Sequence, residues 1–406
     1  MNKLIITQKD QIICTALAEG QKILQLSLEP VRRKAALNSI YIGRVQNIKK
    51  NINSAFIDIG EGITGYYSLS DNPRHLHADG TRTTDLKQGD EILVQVARDA
   101  VKTKALVLTG RLSFTGRLAV LTAGKNGIGF SSKISDQAFK KRIRERLSQE
   151  DMEGFGLIIR TNAKDADEET LMEEIYSLKG EYERIIQKAP FRNCCSLLYQ
   201  GPASFLAGVR DSYSSQLEEI ITDEPNLYEQ IAAYLEKEQP EDKRKLRLYQ
   251  DSLLSLKSLY NLDRALEDAV SRKVWLKSGG YLVVEPTEAL VVIDVNTGKY
   301  SEKKTLRETI LKINLEAAEE IGRQLRLRNL SGIILIDFID MAEEADRKAL
   351  LSYLEEVVKK DPIKTTVVEM TKLNLVELTR KKIHKPLHEQ LAALRGREEE
   401  AKENWV

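Results

Sequence analysis

Apolar and polar positions alternate from the start of the chain: "KLIITQ" and "KILQLSLE", with the turn-forming "LAEGQ" between them, predict strands within residues 1 to 35. These are too few to close a core alone and need a partner elsewhere in the sequence. From about 36 to 110 short strand patterns recur, "IYIGRVQNI", "SAFIDIG", "GYYSL" and "DEILVQVAR", separated by polar turns and a loop with His75 and His77. Short strands spaced by turn residues predict a small barrel. Between about 111 and 200, strands ("RLAVLTA", "GLIIRTNA") mix with helical patterns such as "DADEETLMEEIYSLKGEYERIIQKA", where an acidic first turn suits the positive end of a helix dipole. One strand and long amphipathic helices, broken at Pro240, are expected from 201 to 270. Beyond "GGYLVVEPTEALVVIDVN", strands alternate with helices at 302 to 328 and 343 to 360, the pattern of a mixed or parallel sheet with crossovers.

Within that last region two apolar runs end alike. In "ALVVIDVNTGK" the run Leu290 to Ile293 ends on Asp294, followed by Asn296; in "GIILIDFIDM" the run Ile333 to Ile336 ends on Asp337, followed by Asp340. Each run reads as a strand buried on both faces, and two such strands with a helix between them are expected to be parallel neighbours. Their carboxylates then lie side by side at the carboxyl edge of the sheet, where ligands bind in open α/β folds. At about 4 to 6 Å they repel by on the order of 1 to 4 kcal/mol at surface-like dielectrics, and a divalent cation removes that repulsion. A lone Asp of this kind more often caps the next turn. The doubling of the pattern, with Asn296 in step, favours the metal. Asp340 is assigned a supporting role at the turn before the next helix. The G-x-x-x-x-G-K-[ST] partner of a nucleotide-hydrolysing "IILID" strand is absent, since "NTGKY" lacks the first Gly and the final hydroxyl.

Composition sharpens this picture. The 406 residues suit two to three domains, and 42% hydrophobic content suits packed cores. Charged residues reach 30% but the net charge is only +1, so affinity for nucleic acid has to come from local clusters. One is the helix carrying Lys312, Arg323, Arg326 and Arg328; another is 364 to 385, with six Lys/Arg against two Glu. Each reads equally as a phosphate track or a solvated face. On the barrel, Phe56, Tyr66 and Tyr67, with Arg44, Lys49, Lys50 and Lys104, offer the stacking rings and charges that hold single-stranded RNA, although Phe56 and Tyr67 taken singly read as core. Cys14, Cys194 and Cys195 have no CxxC spacing, which argues against a disulfide framework or zinc ribbon and suits a reducing cytoplasm. No secretory leader or bilayer-spanning apolar run is present, so no membrane association is expected.

Together "SGGYLVVEPTEALVVIDVNTG", "NLEAAEEIGRQLRLRNLSGIILIDFIDM" and "LVELTRKK" resemble the signature segments of the ribonuclease E/G family of bacterial endoribonucleases, in the same order and spacing. The resemblance implies a multidomain α/β chain: an RNase H-like subdomain split between 1–35 and 204–270, an inserted OB-fold RNA-binding barrel at 36–110, a 5′-sensor domain at 111–203, a deoxyribonuclease-like catalytic domain at 271–395 and a tail at 396–406. It assigns Asp294 and Asp337 to Mg²⁺ and Asn296 to catalysis, for cleavage of single-stranded, A/U-rich RNA to 5′-phosphate and 3′-hydroxyl ends in rRNA maturation and mRNA decay.

The resemblance also implies a pocket for a 5′-monophosphate made by Gly116, Val120, Arg160 and Thr161, with Lys364 where the family has a further Arg. Ser132 stands in "FSSKI" where the family has Arg, and Lys cannot form a bidentate contact, so a weaker sensor is expected. No cysteine follows Cys195, so the family's zinc link between subunits is not expected, and a homo-oligomer built on other interfaces stays open. The rival readings are a non-catalytic RNA-binding or ribosome-associated factor and a metal-dependent deoxyribonuclease.

Overall fold

The first strands find their partners far along the chain. In the computed structural model, which describes residues 2–31, 35–98, 105–212, 216–298 and 306–394, Asn2–Lys9, Ile12–Glu19 and Lys22–Pro30 form a meander. A third strand, Ile12–Glu19, thus lies between the two expected, entered through a turn at Asp10 with φ 54°. Asn2–Lys9 pairs on its other side with Leu217–Thr222, which in turn pairs in parallel with Leu246–Leu248. So the described residues of 201 to 270 hold two strands where one was expected, and the longest of their helices is Pro225–Glu238. Ile5, Ala16 and Leu26 of the meander share a core with Leu256, Leu262 and Leu387.

By internal contacts the chain divides into two compact units, Met1–Val31 with Glu219–Gln230 and Lys245–Val406, and Arg32–Glu218 with Ile231–Arg244. The second unit contains the barrel. Ile40–Lys49, Ser54–Asp58, Thr64–Ser68, Leu106–Thr109 and Glu91–Arg98 pair in sequence, and the last returns to Ile40–Lys49, closing five strands into an OB-like barrel. Closure leaves no free edge among these strands. A four-stranded sheet, Ser113–Thr115, Ala119–Ala123, Phe155–Ile159 and Gly127–Phe130, is covered by Glu168–Lys188, whose N-cap Asp167 accepts from Thr170 N at 2.7 Å.

The first unit also holds a mixed six-stranded sheet in the order Lys273–Trp275, Tyr281–Pro286, Leu290–Asn296, Gly332–Asp337, Leu375–Arg380, Thr365–Met370. Only the pair Leu290–Asn296 and Gly332–Asp337 is parallel. The similar segments "VEMTK" at 368 and "VELTR" at 376 begin on the two strands of one antiparallel hairpin. Contrary to expectation, the aspartate-bearing strands are buried on one face only. Val291, Ile293, Val295, Ile334 and Ile336 pack beneath Leu306–Leu327 and Glu344–Lys359. On the other alternation Ile333 is 52% exposed and Val292 and Leu335 are half-buried. Both helices cover the same side of the sheet, and among the described residues no helix covers the opposite, open side.

Candidate active site

The open face carries the carboxylates. Asp294 and Asp337 are direct register partners in the parallel pair, so their Cα atoms sit about 4.8 Å apart and their side chains share a face. The Asn296 amide Nδ2 donates to Asp294 Oδ2 at 2.7 Å. Burial first, then the neighbouring charges of Asp294 and Asp340, raise the Asp337 carboxyl above its ordinary pKa. Among the described residues no donor or cation is paired with Asp337. Neither aspartate caps a helix: the N-cap of Glu344–Lys359 is Glu343, which makes no side-chain cap. Asp340 lies in the loop before that helix. It accepts from Asn374 Nδ2 at 3.2 Å, tying the loop after Asp337 to the hairpin turn.

Two neighbouring structures hold this corner in place. Gly298, with φ 63°, approaches so closely that a Cβ there would lie 2.1 Å from the Gly279 carbonyl, so the "NTG" turn fits against the "SGG" turn only with glycine at 298. Glu316 accepts from Lys277 N and Ser278 N at 2.7 and 3.2 Å, anchoring the "SGG" turn to the helix behind it. Sequence reading missed Asn314. It is fully buried, donates from Nδ2 to the Ile339 carbonyl at 2.8 Å and accepts from Ile339 N at 3.1 Å, so it sets the path of the chain between Asp337 and Asp340. Its signal was a polar residue on an apolar helix stripe with Ile313, Ala317 and Ile321.

Two carboxylates and an amide, with one carboxylate raised by burial and like charge, suit a hard cation with oxygen ligands. Among the described residues no group of three or more His, Cys, Asp or Glu converges to hold a metal. Mg²⁺ commonly binds through one or two carboxylates and keeps its waters, so the pair fits it.

The ribonuclease E/G family model matches residues 113–383. The chain is 33% identical over 394 residues to ribonuclease E of Synechocystis sp., covering 95% of this chain and 58% of that protein. It is 32% identical over 377 residues to ribonuclease G of Salmonella typhimurium, covering 90% and 77%, and 31% identical over 386 residues to ribonuclease G of Escherichia coli, covering 93% and 79%. The chain belongs to the ribonuclease E/G family. It spans less than two thirds of the ribonuclease E proteins of Synechocystis sp. and Nostoc sp., 58% and 57%.

Elsewhere in this ribonuclease E/G chain, four of the five residues expected in a phosphate pocket lie in the second unit. Arg160 Nη1 donates to the Gly116 carbonyl at 2.6 Å, and Thr161 Oγ1 lies 2.9 Å from Ser131 Oγ. Val120 is on the neighbouring strand, paired with Ile158. Lys364 belongs to the other unit, and Ser132 is exposed. Two acids that sequence reading missed complete the arrangement. Asp211 Oδ1 accepts from Arg160 Nη2 at 2.8 Å and from Arg210 Nε at 2.9 Å. Burial alone would raise its carboxyl, but the two guanidiniums outweigh it and hold the pKa below the ordinary value. Glu174 accepts from the main-chain N–H groups of Arg117, Leu118 and Ala119. Neither acid is near these residues in sequence, so no local pattern announces it.

On the barrel, Phe56 and Tyr66 are register partners with ring centroids 6.1 Å apart, both half-buried, as a surface pair would be. Tyr67 is not part of a platform: it is fully buried, its hydroxyl 2.9 Å from His75 Nδ1. Alternation places adjacent residues on opposite faces. Lys104 lies outside the described residues. For the basic helix cluster, read equally as a phosphate track or a solvated face, two of the four cations turn out to be neither. Arg323 donates to Glu320 and to the Ile23 carbonyl. Arg328, 5% exposed, donates to Gln324 and to the Ser271 and Asp268 carbonyls, and burial pulls its pKa down to about 10. Those charges serve packing, because a guanidinium satisfies several buried carbonyls at once. Among the described residues no helix is long and apolar enough to cross a membrane.

Proposed function

We propose that this chain is a cytoplasmic endoribonuclease that cuts single-stranded RNA in rRNA maturation and mRNA decay, leaving 5′-phosphate and 3′-hydroxyl ends. The observation that carries this reading is the in-register pairing of Asp294 with Asp337 on an open sheet face, with Asn296 bonded to Asp294. Family membership supports the choice of RNA. Asp294 and Asp337 would hold Mg²⁺, which when bound supplies a Lewis acid and a water of lowered pKa. Asn296 spends one amide hydrogen on Asp294. Its second N–H and its carbonyl oxygen remain to orient a water or a phosphate oxygen at the scissile bond. Phe56 and Tyr66, with Lys104, would stack and hold the strand upstream or downstream of the cut.

The same reading extends to Gly116, Val120, Arg160 and Thr161 as a sensor of a 5′-monophosphate. Arg160 is already paired with Asp211, so a terminal phosphate would have to compete with that carboxylate. The domain division expected from the family, with RNase H-like and deoxyribonuclease-like parts flanking the barrel, belongs to this proposal.

The test is to incubate the chain with end-labelled single-stranded RNA and DNA, with Mg²⁺ or EDTA, and to map the ends. RNA cleavage that needs Mg²⁺ and falls about 10²-fold or more in Asp294→Asn and Asp337→Asn, with RNA binding kept, is expected. Cleavage retained in both variants would remove the assignment, and binding without any cleavage would favour a non-catalytic RNA-binding factor. For the sensor, 5′-monophosphorylated RNA should be cut faster than 5′-hydroxylated RNA, and Arg160→Ala should erase the difference.

A further inference from the structure

Beside the carboxylates, the open face carries an aromatic group that no part of the proposed mechanism uses. Trp275, on the edge strand Lys273–Trp275, is 65% exposed. It pairs with Tyr281, their ring centroids 5.4 Å apart and tilted by 59°. Lys273 Nζ lies 3.6 Å from the Tyr281 ring centroid and 4.0 Å from that of Trp275. A cation so placed holds both rings by cation–π attraction.

Register ties this group to the site. Tyr281 is the partner of Asn296, and Lys273, through Val283, is in line with Asp294 and Asp337. Directly paired residues in a ladder point to the same side. Trp275, Tyr281 and Asn296 therefore form one row across the open face, next to the row that ends in the two carboxylates. At the usual strand spacing Trp275 stands roughly 10 Å from Asn296, the scale of a neighbouring nucleotide.

A single exposed apolar side chain needs no explanation. Here an indole, a phenol and an ammonium are held against one another, and they stand on the face of the sheet, so they do not guard its hydrogen-bonding edge. We propose that Trp275, Tyr281 and Lys273 form a nucleotide subsite beside the Asp294–Asn296–Asp337 centre: a base flanking the scissile bond stacks on Trp275, and the Lys273 ammonium meets the adjoining phosphate. Base stacking is tolerant of sequence, because every base has a π-face. The subsite thus selects unpaired nucleotides at the cut and not a particular base. This inference rests on the endoribonuclease reading.

The experiment uses the full chain with Asp294→Asn, to prevent cleavage, and Trp405→Phe, which leaves Trp275 as the one tryptophan. Titration with a single-stranded oligoribonucleotide should quench the indole fluorescence, and an abasic oligomer of the same length should not. In the chain with Asp294 intact, Trp275→Ala should raise KM for RNA about 10- to 100-fold, and Trp275→Phe should keep most of the affinity. Equal quenching by the abasic oligomer, or an unchanged KM in Trp275→Ala, would overturn the proposal. So would a fluorescence change that follows protein concentration without RNA, which would assign the face to a second copy of the chain. Failure of the unsubstituted chain to cut RNA would sink the endoribonuclease reading instead, a result separate from the quenching.

Discussion

Asn314 grips the main chain of Ile339 from both sides, donating to its carbonyl at 2.8 Å and accepting from its N–H at 3.1 Å. A fully buried amide in this position fixes the loop that leaves Asp337. Asn314→Ala would leave both Ile339 groups unpaired, at a cost of about 1 to 3 kcal/mol. The expected result is a lower unfolding midpoint together with a fall in kcat of about 10- to 100-fold at temperatures where the variant is folded. Urea unfolding and single-turnover cleavage would measure the two, and an unchanged kcat would show that the clamp does not position the site.

Gly298 and Gly279 both have positive φ, 63° and 93°, but differ in surroundings. A Cβ at Gly279 meets nothing within 4 Å, whereas one at Gly298 runs into the Gly279 carbonyl. Gly279→Ala should cost only backbone strain, about 1 to 2 kcal/mol. Gly298→Ala should cost more and displace Asn296, lowering cleavage more than stability alone explains. Equal effects of the two, by calorimetry and cleavage rate, would contradict the interlocked turns.

Arg380 and Asp361 form an ion pair with side chains 2% and 4% exposed, Nε to Oδ2 2.7 Å, and Arg380 also donates to the Leu330 carbonyl at 2.9 Å. Removing one partner of such a pair strands the other charge. Asp361→Asn should destabilise the unit by about 3 to 5 kcal/mol. Denaturant midpoints would test this, and a loss under 1 kcal/mol would mean that water reaches the guanidinium.

His75 lies buried against Tyr67 in the barrel unit, and burial, with His77 nearby, lowers its pKa below the ordinary 6.5. The unfolded chain therefore binds a proton at a pH where the folded chain does not. Stability from this group is complete above the unfolded pKa and falls as pH drops from about 6.5 toward the lower folded value. Unfolding at pH 7.5 and pH 5 should show the loss. His75→Gln should flatten that slope, and an unaltered slope would assign it to other groups.

Local patterns sufficed for much of the site. An apolar run ending in Asp, repeated with Asn296 in step, is legible because alternation and chain breaks are properties of neighbouring residues, and the parallel pairing of the two strands follows from the helix between them. The barrel was legible for the same reason. What pairing over long separations decides was not: that both helices lie on one face and leave Asp294 and Asp337 on the other, that Arg323 and Arg328 are consumed by packing, that Tyr67 turns inward while Tyr66 does not, and that Asp211 and Glu174 reach Arg160 and the Gly116 turn. The sequence by itself determined which residues bear charge and which two apolar runs end in the paired aspartates. Only the tertiary structure decided which of those charges remain available, since a charge is compensated by whatever the fold brings beside it, and that neighbour is rarely near in sequence.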